Sequence, residues 1–209
     1  GQIARGNVER IGLGTKLNVY DEPITREQIA KRLRNCDVVF GCTDKETPRS
    51  ILVQLSLRYL IPVIDMGVSI TSNENTISDV VGRVTTLLPG EACLFCRKRI
   101  TAERIRLESL TESERKSLIR EGYAPELDMP NPAVIPFTST VAAVAVSELL
   151  HRLTGFMGSD RNSSEVLCFF DQTRSRTNRL QAVNGCLCTR QTLWGRGDST
   201  SFLDLSWSN

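Results

Sequence analysis

Two pairs of cysteines and one carboxylate carry the chemistry that can be read first. Cys93 and Cys96 stand three positions apart in LLPGEACLFCRKR, straight after a β-like run and a Pro-Gly turn, and Cys186 and Cys188 close the stretch AVNGCLCTR. A tetrahedral zinc site with thiolate ligands needs four sulfurs at about 2.3 Å from the ion, and two close pairs on facing turns supply them with little strain. The first pair has the common C-x2-C spacing; the second, C-x-C, is tighter and less usual. A redox pair normally opens a helix and encloses a Pro or small residue, which suits the Leu-Phe of CLFC less well. Unliganded buried thiols are the remaining alternative. Four sulfur ligands close a zinc site to water, so the ion would hold structure and not catalyse. The carboxylate is Asp44, which ends the apolar run of VVFGCTDKETPR. In open parallel sheets ligands bind at the carboxyl ends of strands. There a lone carboxylate either holds Mg2+ beside a nucleotide phosphate or caps the following helix, and the residues alone leave both open. Cys36, Cys42 and Cys168, in or beside apolar strands, read as small buried hydrophobes.

These groups need elements to position them. Gln2–Ile11 reads as the tail of a helix and Thr15–Tyr20 as a strand. ITREQIAKRLRN has the spacing of a one-faced helix, and Asp37–Cys42 is a short apolar strand of the kind buried in a parallel sheet. A polar turn then leads to a helix from about Ser50 to Tyr59 and a second buried strand, Ile61–Val68. The alternation is that of βαβ units. VGRVTTLL is an extended strand entering the first cysteine pair. Between Arg97 and Pro136 the chain is charged, with one helix opened by a Thr111/Glu114 capping box and a Pro-rich loop, GYAPELDMPNPAVIP. A helix over roughly Thr138–Leu153 and two strands, EVLCFFD and SRTNRLQAV, deliver the chain to Cys186. The only histidine, His151, falls near a helix end, where a structural role is expected.

Composition sets the frame. The chain has 209 residues, is 40% hydrophobic and carries a formal charge of +2, enough length for a substantial core and too little charge to argue for nucleic acid. CRKRITAERIR reads as a solvated helix face. No secretory signal opens the sequence and no apolar run is long enough for a bilayer. Seven cysteines without a signal favour a reducing compartment, so a cytoplasmic protein with no membrane partner is expected.

In order, GCTDKETPR, YLIPVIDMGV, GRVTTLLPGEACLFC, NPAVIPFTSTVAAVAVSELLHRLTG and GCLC resemble the ThiF/MoeB/HesA family, the activating enzymes for ubiquitin-like proteins and sulfur carriers. The resemblance runs from about Asp37 to Cys188. It implies an α/β fold: the C-terminal part of a Rossmann-like adenylation fold, a parallel sheet with helices plus extra antiparallel strands and a zinc knuckle. It implies adenylation of the C-terminal carboxylate of a small β-grasp protein with Mg-ATP, and a homodimer. Asp44 would match the family's Mg2+/ATP aspartate in its T-D-x4-R motif, Arg49 that motif's arginine acting as a local organiser, and Cys93, Cys96, Cys186 and Cys188 the four ligands of a structural zinc. No catalytic residue is assigned. One domain is expected over 1–209, with a partial nucleotide-binding sheet over 1–92, a zinc-bracketed crossover, helix and strands over 93–188, and a tail over 189–209.

The sequence departs from the family pattern in three ways. It has no glycine-rich phosphate loop with its arginine and lysine, so it reads as the C-terminal portion of a larger polypeptide, inactive by itself. Arg97–Pro136 holds no cysteine for a thioester, which favours adenylation alone. The asparagine usual a few residues after the motif arginine is Val53, and the second cysteine pair is one residue short. The alternative is a non-catalytic, zinc-stabilised scaffold that binds a ubiquitin-like partner; a dinucleotide-dependent oxidoreductase lacks its glycine fingerprint.

Overall fold

The computed structural model describes residues 1–73, 76–121, 134–159, 161, 163–205 and 207. Six helices (α1 Gln2–Ile11, α2 Glu27–Arg32, α3 Glu46–Arg58, α4 Ala102–Glu108, α5 Glu112–Arg120, α6 Ile135–Thr154) and five strands (β1 Val39–Gly41, β2 Val63–Asn73, β3 Thr76–Leu87, β4 Glu165–Phe169, β5 Arg174–Asn178) are formed among them. The sheet has the order β1-β2-β3-β4-β5. β1 and β2 are parallel, joined by α3, and every later pairing is antiparallel. The α/β class with one βαβ unit and added antiparallel strands is therefore the fold.

Each face of the sheet is covered differently. Residues alternate across a strand, so Ile64, Met66 and Val68 of β2 and Val84 of β3 share a face, and α6 lies on it through Val141 and Ala145. α6 comes close because β3 has Gly82 beneath it: a Cβ there would collide with Val141. On the other side α3 buries Ile51, Leu52, Val53 and Leu55 against Val63, Leu87 and the Cys93–Ile100 turn. Each such aliphatic side chain contributes about 1.5–3 kcal/mol when removed from water. The tail joins this second cluster. Phe202 and Leu203 are buried in it, the Gly195 and Gly197 amides donate to the Leu57 and Arg58 carbonyls at the end of α3, and Phe202 stacks on Trp207 at 5.3 Å.

Several sequence expectations change. Thr15–Tyr20 forms no strand: β-branched, alternating residues become a strand only against a free edge, and none pairs with them. α3 starts at Glu46, four residues before the expected Ser50, with Pro48 in its first turn, where a missing N–H costs nothing. β2 and β3 are longer than the apolar runs that announced them and form one antiparallel hairpin with an irregularity at Thr71/Ser72. A further helix, α4, precedes α5, whose capping box is formed as expected. SRTNRLQAV is strand only to Asn178. His151 has the structural role expected: its Nδ1 accepts from the Met157 amide at 3.2 Å. The Pro-rich loop lies, up to residue 133, outside the described residues. No helix among the described residues is long and apolar enough to cross a membrane.

Candidate functional site

The four thiols expected as ligands converge. Their sulfurs lie within 4.8 Å of one another, with Cys93–Cys96 at 3.9 Å, Cys93–Cys186 at 3.6 Å and Cys96–Cys188 at 3.5 Å. Zinc–sulfur bonds of about 2.3 Å require tetrahedron edges of about 3.8 Å. The set therefore fits that ion in number, chemistry and spacing. The local chain explains how. After β3, Gly90 takes a left-handed φ of 82° and its amide donates to the Cys188 carbonyl at 3.1 Å, tying the two arms together. The short C-x-C is accommodated by a turn: the Cys186 amide donates to Val183 and the Thr189 amide to Cys186, a 3-10 turn that brings both sulfurs to one side. The Val183 amide also donates to Cys96 Sγ at 3.3 Å. Arg97, next in the chain, is buried and fastens this turn to β4 through Glu165 Oε2 at 3.0 Å and Ser164 Oγ at 2.8 Å. Within the cluster protons are shared unevenly. The hydrogen bond with Cys188, then burial, pushes the Cys93 thiol up, and the same bond brings Cys188 down to about 5.

The Asp44 turn is organised by other means. Asp44 follows β1 by three residues and is exposed on the wall of a cavity of about 280 Å3 lined also by Cys42, Arg49, Gly67 and Val141. It does not cap the helix. The N-cap position of α3 is Lys45, without a side-chain cap. The cap comes from α4, where Glu108 accepts from the Glu46 and Thr47 amides, both at 2.8 Å. Glu46 returns the contact by accepting from the Thr101 amide at the start of α4. Of the two roles left open for Asp44, the capping role is excluded.

Arg49 is buried beneath this turn. Its Nε and Nη2 donate to the Thr43 carbonyl at 3.0 and 2.7 Å, and Nη2 reaches the Met66 carbonyl at 3.3 Å. It thus ties the turn after β1 to β2. Facing it at 3.6 Å is Asp65, fully buried, with no hydrogen-bond partner for either carboxylate oxygen. Burial raises the Asp65 carboxyl to about 7; Arg49 opposes the rise and Glu165 adds to it. Thr43 Oγ1 is likewise buried and unpartnered. Cys42 corrects the expectation of a buried hydrophobe: it is exposed, because it follows the last residue of β1 and faces the cavity. Cys36 is half-buried and Cys168 buried. Asp65, Glu108 and Glu165 escaped the sequence reading. For Asp65 the available signal was a carboxylate inside an otherwise apolar strand, two residues before a glycine.

The ThiF family matches residues 2–189. The chain belongs to the ThiF family. Among solved structures it is similar in fold to E. coli MccB with AMPCPP and selenomethionine MccA, at TM-score 0.60 and 10% identity, over 90% of this chain and 50% of that one. It is similar also to E. coli MccB with MccA-N7isoASN, at TM-score 0.62 and 10% identity, over 90% of this chain and 51% of that one. This ThiF-family chain spans about half the length of the solved structures it matches. No curated protein matches it.

Proposed function

We propose that this chain is the metal-bearing part of a ThiF-type adenylyltransferase that activates the C-terminal carboxylate of a ubiquitin-like or sulfur-carrier β-grasp protein. The observation that carries the reading is Asp44. It stands at the carboxyl end of a parallel strand, released from capping by Glu108, on the wall of a cavity beside the buried, unpartnered Thr43 Oγ1. Asp44 would hold Mg2+ of Mg-ATP, and the ion would offset charge on the phosphates. The chain's own groups position. Arg49 fixes the turn through two carbonyls, with the buried Asp65 facing it at 3.6 Å, and the Glu46/Glu108 exchange locks α4, where the crossover begins, to the helix after the site. Cys93, Cys96, Cys186 and Cys188 would hold a structural zinc that closes the crossover. The similarity to MccB, solved with AMPCPP and MccA, is in keeping with a nucleotide and a small partner.

Homodimer formation is part of the proposal. Val146, Leu150 and Leu153 follow one another along one face of α6 and are 49%, 48% and 72% exposed, more apolar surface than a helix normally leaves in water.

Because the described residues form no glycine-rich phosphate cradle, the 209-residue chain is expected to show no ATP–pyrophosphate exchange, while a polypeptide that also carries such a cradle exchanges in a partner-dependent way. Exchange by the chain alone would remove the claim of a divided site. Absence of exchange with the cradle and partner present would favour the scaffold, which binds a ubiquitin-like protein without activating it.

A further inference from the structure

On the polar face of the sheet four guanidiniums gather around two buried carboxylates. Arg49 faces Asp65 at 3.6 Å, and Arg97 and Arg99 both face Glu165, at 3.0 and 3.7 Å. The fourth, Arg83, has no hydrogen bond or ion pair among the described residues, and its Nε is buried. It stands on β3 opposite Gly67 of β2 and lines a cavity of about 220 Å3 with Ser69, Thr71, Arg99 and, at its exposed rim, Asp79. Gly67, the partner of Arg83 across the strands, also borders the cavity beside Asp44. A Cβ on it would sit 2.9 Å from Arg49 Nη2 and 3.4 Å from Arg83 Nη2.

A half-buried cation without a partner is costly, and a planar guanidinium is shaped to take both oxygens of a carboxylate. The hydroxyls of Ser69 and Thr71 add donors at the same place. We propose that Arg83 is the residue that receives the terminal carboxylate of the incoming partner chain, holding it across Gly67 from the Asp44 cavity. The proposal rests on the reading that a carboxylate is activated here. It adds which residue of this chain selects it. Arg83 makes and breaks no covalent bond: its N–H groups donate to the carboxylate, Arg99 adds positive charge, and the absent Cβ of Gly67 leaves room for the Arg49 and Arg83 guanidiniums.

The test needs no nucleotide, so its failure is separable from failure of the adenylation reading, which pyrophosphate exchange decides. The 209-residue chain is titrated with Ac-Ala-Gly-Gly as the free acid and as the C-terminal amide, following amide and arginine Nε–H NMR shifts. The acid is expected to move Gly67 and Arg83 and to bind at least about tenfold more tightly than the amide, the scale of one charge-assisted hydrogen bond. Arg83→Gln should abolish that preference and Arg83→Lys retain part of it. Arg174→Gln, on the same face but stacked on Phe169, should leave it intact. Equal preference in wild type and Arg83→Gln, or no binding of the acid, overturns the proposal. So does Ac-Asp-Gly-Gly amide binding as tightly as the free acid, which would make the ligand an acidic side chain. Should Arg83→Gln fail to fold, an undiminished acid preference in Arg83→Lys overturns it equally.

Discussion

The cysteine knuckle and the Asp44 turn are built on opposite rules. In the knuckle polar groups are buried and nearly all of them are engaged: sulfurs with sulfurs and with a backbone amide, Arg97 with Glu165, Ser164 and the Ala92 carbonyl. At the turn Asp44 is exposed, and Thr43 Oγ1 and both oxygens of Asp65 are buried without hydrogen-bond partners, Asp65 facing Arg49 at 3.6 Å. Burying a polar atom without a hydrogen bond costs about 1–3 kcal/mol, so a fold that concentrates such atoms around the Arg49 side chain while satisfying those at the knuckle has divided stability from binding. The division can be broken from either side, and the expected changes in stability run from large to none.

The largest belongs to the knuckle. Cys93→Ser is expected to lower bound zinc from about one ion per chain to near zero and, with several kcal/mol of metal-linked folding energy lost, to reduce Tm by about 10 °C. Elemental analysis and calorimetry measure both. A chelator should carry wild type to the same Tm and leave the variant unmoved. If chelation leaves wild type where it was, the knuckle holds by its protein contacts alone.

Next is Asp65, where pH separates the two regions. Its folded carboxyl keeps the proton to about pH 7, against 3.8 ordinarily. The folded state therefore binds more protons than the unfolded state between those values. The contribution of Asp65 is complete below about pH 4 and is lost as pH rises through 7, on the order of 4 kcal/mol in all. Asp65→Asn should remove this slope, read as the difference between wild-type and variant urea midpoints at pH 5 and pH 8. The knuckle runs the other way. Protons compete with the metal for thiolates, so zinc is released on acidification. A single pH optimum shared by both regions would deny that they are independent.

Smaller again is Glu108→Ala, which leaves the first amides of α3 uncapped. A loss of about 1–2 kcal/mol is expected, with faster hydrogen exchange at Glu46 and Thr47 and no change in zinc content. Glu108→Gln, which keeps an acceptor, should recover part of it.

These contrasts also explain what the sequence disclosed. The knuckle was legible because each cysteine pair is local and a closed thiolate site needs only four sulfurs. The α5 capping box and the apolar run of α6 are local in the same sense, and so is the T-D-x4-R turn. What escaped is non-local. The first turn of α3 could not be read because its cap, Glu108, comes from another helix. The length of the β2–β3 hairpin could not, because Ser69, Thr71 and Ser72 are strand only by virtue of the partner across from them. Thr15–Tyr20 has the strand pattern and lacks the edge. Asp65, Arg83 and Glu165 acquire meaning only when three strands are set side by side, and the docking of the tail on α3 depends on where Leu57 and Arg58 finish.

Asp44 should give the smallest change in stability and so the sharpest contrast with Cys93. Its side chain is exposed, accepts no hydrogen bond and forms no ion pair among the described residues, and exposed positions of this kind alter folding free energy by about 0.5 kcal/mol or less. Asp44→Asn is therefore expected to leave Tm within about 2 °C of wild type and to leave zinc unchanged. The same substitution removes the charge proposed to hold Mg2+ while keeping the volume. In a polypeptide that also carries a phosphate cradle, it should depress pyrophosphate exchange by at least about a hundredfold, the scale on which a single preorganised electrostatic group acts. A substitution silent in folding and severe in exchange is what a binding group predicts. Had Asp44 served the fold as a cap, the two effects would move together, with a loss near that of Glu108→Ala and little effect on exchange.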